Sequence, residues 1–422
     1  MQPMKVLVTG ASGFIGTAVA ARLRGEGDEV IALGHGGAQS PRVEMQRMDV
    51  PGWRALLDGV DAVVNCAGVF ADTATVKLDD ANTRAAITLF DACVAAGVPR
   101  VVQFSAIGVE DRLSPFARSK LAADEALMAL DLDWVILRPS IVFGEDAGGG
   151  SALLRGVAAL PVIPLDARAG DMQIVQLEDV AATVMRLTRP GAPARVVLDL
   201  VGPERLSFVE TLRAIGAWLR RPRALVMPMP DWVMTLGYGF GELAGRLGWK
   251  TPIRLGARAE LRRGAIGDPQ PWIEATGLAP AGLTDALAET PSTSQERTYA
   301  SLYFIQPLVI AVTALFFIAT GITSLTNGYE IGVALLKRGG LGAWSGPSVI
   351  AGGLADIAAG LLIAWRPTVR WGLYLAIVLS LFYFVFGTLL LPGLWRDPIG
   401  PMLKIFPLIV LNIVALAMVR DR

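Results

Sequence analysis

The chain has 422 residues, with 38 basic and 38 acidic side chains and a formal net charge of zero. Its single histidine, His35, excludes a His-rich metal site and a Ser–His–Asp triad built elsewhere in the chain. With 53% hydrophobic and 18% charged residues and a mean hydropathy of +0.49, it is too apolar for an ordinary soluble protein.

The apolar excess is concentrated at one end. From Tyr299 onward there are eight basic and four acidic residues in 124 positions, which leaves 30 basic and 34 acidic in residues 1–298. The front is therefore read as a mildly acidic soluble body and the back as a membrane domain. Cys66 and Cys93 make no disulfide framework and suit a reducing compartment. The first residues lead directly into a short strand and a glycine turn, a pattern unlike a signal peptide.

In chain order, Lys5–Val8 reads as a short buried strand and Thr17–Arg24 has helical spacing. Between them stand Gly10, Gly13 and Gly16, in a GxxGxxG pattern. The first glycine makes a tight turn, the second lets backbone amides approach a pyrophosphate, and the third permits close helix–strand packing at a helix N-terminus facing the anion. Further strands are predicted at Glu29–Leu33, Val43–Met48, Ala62–Asn65, Arg100–Phe104 and Trp134–Leu137, with a helix at Ala81–Ala96. This spacing predicts an α/β fold with a doubly wound parallel sheet. Its C-terminal strand ends carry Asp49, Asn65 to Gly68, Ser105 and Arg138 to Gly144, and ligands bind in the crevice at such ends.

TGASGFIG, Asp49, NCAG, the Asn82 helix, Lys120, RPSIVFG and VQLEDVA together resemble an extended or atypical short-chain dehydrogenase/reductase over about residues 4–290. The similar subgroup is the one holding the nucleotide-binding accessory subunit of mitochondrial complex I. The resemblance implies a Rossmann domain in which Gly10, Ser12, Gly13, Phe14, Ile15 and Gly16 hold the pyrophosphate. It implies that Asp49 and Val50 flank the adenine, Ala67 and Gly68 the ribose side, and that Lys120 bonds the nicotinamide ribose. Asp49 by itself also reads as a solvated turn residue, and Lys120 as a solvated helix residue.

The family's reaction needs a tyrosine phenol four residues before that lysine, and general acid–base help of this kind is worth about 10²–10⁴-fold. Phe116 stands there, and residues 1–237 contain no tyrosine. Ser105 is the one hydroxyl after the strand ending at Phe104. It is counted among the residues facing the cofactor, with its side chain expected to bond backbone at the strand end, and the substrate-orienting position falls on Ile107. Cofactor binding without the usual dehydrogenase chemistry is the expectation. An acidic reader of the ribose 2′-hydroxyl is missing after the second strand, where Gly34 and His35 stand with Ser40 and Arg42 beyond, so NADP(H) is slightly favoured over NAD(H). His35 is kept as a cofactor candidate, though a solvated loop residue is the plainer reading.

The expected domains are 1–290 for the dinucleotide-binding part, with a small lobe within about 140–290, a Ser/Thr/Pro-rich linker at 291–298, and a membrane domain at 299–422. Within the lobe, Trp232, Leu236, Phe240, Leu243 and Leu247 form one apolar stripe. It suits either a buried helix or one lying in a membrane interface. Four spans are predicted near 302–324, 346–365, 371–391 and 402–419, and a four-helix domain of this topology resembles the DoxX-like family. Asp356 and Asn412 lie at similar depth, as a hydrogen-bonded pair or as a polar pocket for a quinone headgroup or a proton. The chain is expected in the cell inner membrane, multi-pass, with the N-terminal domain cytoplasmic. Its expected role is accessory, assembly or sensing, with a respiratory or other membrane complex and a membrane lipid or quinone as the expected partners, and with reduction or epimerisation of a quinone or another lipid-soluble substrate as the alternative. Neither nucleic acid nor metal is expected as a partner.

Overall fold

The computed structural model describes residues 3–34, 43–72, 76–222, 224–249 and 251–419. Two compact units result: Met1–Arg246 with Lys250–Ser301, and Leu247–Trp249 with Leu302–Arg422.

The first unit is built on six parallel strands: β1 (Lys5–Thr9), β2 (Glu29–Leu33), β3 (Ala62–Asn65), β4 (Arg100–Phe104), β5 (Asp133–Pro139) and β6 (Val196–Leu200), in the order β2-β1-β3-β4-β5-β6. Parallel strands buried on both faces call for continuous apolar runs, and these strands supply them. The pleat sends Val6, Val8, Val64, Val102 and Val135 to one core, and Leu7, Val63, Val101 and Ile136 to the other. Helices α1 (Phe14–Gly25) and α5 (Leu177–Leu187) cover the first core. The second lies under α2 (Val50–Leu56), α3 (Ala85–Ala96) and α4 (Pro115–Met128).

The strand expected at Val43–Met48 does not form. Val43 N–H still bonds the Gly34 carbonyl at 2.9 Å, but Met45–Arg47 coils into a 3-10 turn. Polar Glu44, Gln46 and Arg47 break the buried run an added parallel strand would need, while Met45 and Met48 pack on the second core. Asp49 consequently sits at no strand end; it is the N-cap of α2, accepting from Gly52 N–H at 2.9 Å.

The smaller lobe has its own core of Phe143, Leu154, Ile163, Ile174, Phe208, Leu212, Ile215 and Leu283. The expected linker at 291–298 is instead part of this unit. Ser292 Oγ donates to the Trp218 carbonyl, Thr293 and Glu296 bond reciprocally at the start of helix Ser294–Leu302, and Ala300 is buried in the lobe core. In the lobe, α6 (Asp231–Arg246) is followed by α7 (Leu255–Arg263).

The second unit contains α8 (Ile305–Leu325), a short helix at Tyr329–Arg338, α9 (Ser345–Ala364), α10 (Val369–Leu390) and α11 (Ile405–Val419). Among the described residues, three helical stretches are long and apolar enough to cross a membrane: Ser294–Leu325, Gly342–Ala364 and Arg366–Leu390. The fourth, α11, has 15 residues, short of the roughly 20 that a full crossing takes. Exposure here is inverted: Leu315, Leu361, Val378 and Leu389 face outward, whereas Thr313, Asp356, Ser380 and Asn412 are buried. Such an arrangement suits lipid as the surrounding solvent. Helices meet through glycine: a Cβ at Gly321 would stand 2.4 Å from the Gly353 carbonyl, and one at Gly360 2.7 Å from that of Ala314.

A buried fork ties the start of the chain to the end of α5. Arg189 donates twice to Asp28 at 2.7 Å, and Asp28 also accepts from Met4 N–H. Removing one partner of a buried pair strands the other charge, so Arg189→Met is expected to destabilise the first unit by about 3–5 kcal/mol. Denaturant unfolding of the detergent-solubilised chain checks this, and adding Asp28→Asn should recover most of the loss.

Candidate functional site

The order β2-β1-β3 places a topological switch at the carboxyl ends of β1 and β3, where crevices form in open α/β sheets. Two loops line it. After β1, Gly10 takes φ +66°, and a Cβ built there would lie 2.7 Å from Ala67 N in the loop after β3. A Cβ at Gly16 would stand 2.2 Å from the Gly10 carbonyl oxygen, so α1 can begin this close to β1 only with glycine. Gly13 is the N-cap of α1, with no side-chain cap and no acidic residue in the first turn. That leaves the positive helix end, with Phe14 and Ile15 in its first turn, available to an anion. Ser12 reaches toward the end of β2, its Oγ 2.5 Å from where a Gly34 Cβ would be. Glycine at position 34 itself presents neither a carboxylate nor a guanidinium there. His35 lies outside the described residues.

The loop after β3 is pinned from below. Asn65 accepts from Thr9 Oγ1 at 2.6 Å and from Ala67 N–H, and donates to Gln103 at 2.7 Å. Asn82, in a π-helical turn at Asp80–Arg84, accepts from Val69 N–H and donates to the Val69 carbonyl, both at 2.8 Å. Asn82 also donates to Ser119 of α4, which ties the loop to the helix carrying Lys120.

Lys120 is buried, not solvated. Its Nζ donates to the Phe104 carbonyl at 2.9 Å and the Ala67 carbonyl at 3.4 Å, which leaves one of its three N–H groups uncommitted. A Cβ at Gly68 would sit 2.8 Å from that Nζ, so the glycine is what lets ammonium and loop meet. Burial pulls Lys120 down to about 8, partly offset by the negative charge of Asp124 one turn away. Cys66 itself is pushed up to about 12, mainly by burial, and stays a thiol at neutral pH.

One turn beyond Lys120, Asp124 is fully buried. Ser105 Oγ donates to it at 2.6 Å, which corrects the expectation that this hydroxyl bonds backbone. Arg138 donates to the same oxygen at 3.5 Å and also pairs with Glu110. Burial raises Asp124 to about 7, with the Ser105 hydrogen bond opposing. Sequence reasoning missed Asp124, although its i,i+4 spacing from Lys120 on one helix is a readable signal.

Above this polar floor the mouth is apolar. The Phe116 ring lies 4.9 Å from that of Phe70, and Ile107 is enclosed with Val201 and Ala265. Helix α7 borders the mouth, with Arg263 donating to the Ile107 carbonyl at 2.9 Å and Glu260 accepting from Ser114 Oγ at 2.6 Å. Val50, first residue of α2, packs partly on the second core, and Asp49 keeps its capping role.

In the second unit the expected Asp356–Asn412 pair is absent. Asp356 accepts from Tyr383 OH at 3.1 Å, while Asn412 donates to its own helix at the Leu408 carbonyl, 3.0 Å away. Tyrosine has the reach to span adjacent helices, whereas a short amide one turn from a backbone carbonyl bonds locally.

Residues 6–187 match the NAD dependent epimerase/dehydratase family and residues 314–413 the DoxX-like family. The chain carries an NAD-binding domain of the epimerase and short-chain dehydrogenase type at its N-terminus and a DoxX-like domain at its C-terminus. It is similar to the ceramide reductase of Caulobacter vibrioides, 26% identical over 252 residues, covering 55% of this chain and 76% of that one. It is also similar to subunit 9 of the NADH dehydrogenase [ubiquinone] 1 alpha subcomplex of Arabidopsis thaliana, a mitochondrial protein. The identity is 26% over 245 residues, 53% of this chain and 60% of the subunit's length. The solved structure of MoeE5 with UDP-glucuronic acid and NAD shares the fold, with a TM-score of 0.54 at 23% identity, over 71% of this chain and 100% of that one.

The glycine cradle and open helix end fit a dinucleotide pyrophosphate. Gly13→Asp puts a carboxylate at that end and is expected to abolish NADH and NADPH binding, read as loss of the cofactor fluorescence change on titration.

Proposed function

We propose that this chain is a membrane-tethered NAD(P)(H)-binding protein that holds its cofactor without tyrosine-dependent carbonyl chemistry, in an accessory, assembly or sensing role. The observation that carries the reading is Phe116. Its ring, tilted against that of Phe70, occupies the position four residues before Lys120 and offers no proton. Gly10, Ser12, Gly13, Phe14, Ile15 and Gly16 would hold the pyrophosphate, Ala67 and Gly68 the ribose side, and Lys120 the nicotinamide ribose through its remaining N–H. Asp49 and Val50 would border the adenine, and Ser105 would act from beneath through Asp124. Because Gly34 presents no carboxylate to repel a 2′-phosphate, NADPH is assigned at least the affinity of NADH. The likeness to a complex I accessory subunit, together with the DoxX-like domain, supports a place in a membrane complex, with the first unit cytoplasmic.

A second reading is favoured by the apolar mouth of Phe70, Phe116 and Ile107 and by the likeness to a ceramide reductase: reduction of a quinone or another lipid-soluble substrate. A reduced nicotinamide supplies a hydride, and a quinone then needs only a solvent proton to become the quinol.

Purified protein is expected to bind NADPH with little turnover of alcohols or aldehydes, and Phe116→Tyr to recover at most a trace, limited by Ile107. Robust wild-type reduction of a carbonyl would overturn the first reading, while turnover restricted to quinones would select the second.

Lys120 gives a pH test. With its value near 8, the ammonium is charged below that pH and lost above it, so attraction for the anionic cofactor fades as pH rises. Cofactor affinity should weaken through and above pH 8 in the wild type. Lys120→Met should bind more weakly with no such inflection, as titrations across the range would record.

A further inference from the structure

Helix α6 (Asp231–Arg246) shows the sequence's apolar stripe to be unpartnered within its unit. Trp232 is 66% exposed, Leu236 55%, Phe240 70% and Leu243 53%. At 100° per residue these four fall within an arc of roughly 80°, one narrow face. The opposite face is firmly attached. Asp231 accepts from Arg258 at 2.8 Å, Arg262 at 2.9 Å and Arg168 at 3.3 Å, and Thr235 accepts from Arg258 at 2.9 Å. Tyr238 is buried beneath the Arg258 guanidinium, and a Cβ at Gly241 would collide with the Ile253 carbonyl. The bland reading, a helix buried in the lobe, does not hold for this side.

What covers the face is indicated by where the chain goes next. Arg246 is bonded directly to Leu247–Trp249, and those three residues belong to the unit that carries the membrane-crossing helices. Trp249 Nε1 donates to the Ala364 carbonyl at 2.8 Å, and the Leu247 carbonyl accepts from Arg366 N–H at 3.0 Å, both at the C-terminal end of α9. Exposed Trp365 and Trp371 flank the same end, where membrane proteins place tryptophan at headgroup level. The last residue of α6 is therefore covalently held at the interfacial level. We propose that α6 is an in-plane membrane helix, its Trp232, Leu236, Phe240 and Leu243 face seated in the headgroup and acyl boundary of the bilayer. Exposed Arg246 has the length to snorkel to the headgroups. The proposal is independent of whether the cofactor is turned over. It gives the lobe a second attachment to lipid, and α7, bonded to α6 by Arg258 and Arg262, is the same helix that borders the crevice mouth through Glu260 and Arg263.

The full chain is reconstituted in vesicles of equal parts phosphatidylcholine and phosphatidylglycerol, in a Cys66→Ala, Cys93→Ala background. A spin label is attached singly at Trp232→Cys, Phe240→Cys or Leu243→Cys, with Glu125→Cys as the water reference and Leu389→Cys as the lipid reference. The expected result is an oxygen-to-nickel-chelate collision ratio several-fold above that at position 125 and close to that at 389. A ratio equal to that at 125 would overturn the proposal. So would protection from both reagents, which marks a protein cover, or dipolar broadening that vanishes on dilution with unlabelled protein, which marks a second copy. The unsubstituted chain supplies a measurement free of folding effects: a benzophenone-bearing acyl lipid should label the peptide Asp231–Arg246, and labelling confined to the spans would also refute the assignment.

Discussion

Everything in the first unit follows from one close approach, in which three backbone segments meet with no side chain between them. The turn after β1, the first turn of α1 and the loop after β3 converge so tightly that a Cβ at Gly10 would meet the Ala67 backbone and one at Gly16 the Gly10 carbonyl. This contact aims the start of α1 into the gap between β1 and β3 and keeps it free of a capping side chain. The same need for small residues recurs at Gly34 against Ser12 and at Gly68 against Lys120. Glycine here buys proximity, and proximity is what a site made of backbone amides requires.

Around that contact the unit keeps a charged floor and an apolar mouth. Lys120, Asp124, Ser105 and Arg138 are all buried and mutually bonded or within electrostatic reach, so each compensates the burial of another. Above them, Phe116 and Ile107 supply no hydroxyl at all.

The second unit uses glycine for a different physical end. In lipid no hydrophobic force draws helices together, so van der Waals contact must, and Gly321, Gly353 and Gly360 let backbones touch. Polar side chains are turned inward, and most bond within their own helices, as Thr313 does to Val309, Ser380 to Ala376 and Asn412 to Leu408. Asp356 differs in bonding across helices, to Tyr383.

Much of this was legible in the sequence because it depends on local pattern. The glycine spacing, the buried strands β1 to β5, the long apolar helices and the missing phenol at Phe116 are all properties of short segments. The strand expected at Val43–Met48 failed because Glu44, Gln46 and Arg47 interrupt the apolar run that a buried parallel strand needs. The linker expected at 291–298 failed because Ser292 bonds the Trp218 carbonyl, 74 residues back, and the helix that starts there goes on to bury Ala300 in the lobe core. Ser105 looked like a backbone-bonding strand end until Asp124, 19 residues on, was brought beneath it. The partner of Asp356 turned out to be a tyrosine on the next span rather than an asparagine at equal depth. The sequence by itself determined which residue types were available and where regular structure would carry them. Only the tertiary structure decided which side chains meet and which face of α6 is left bare, because burial and pairing are set by residues distant in the chain, and no local window contains them.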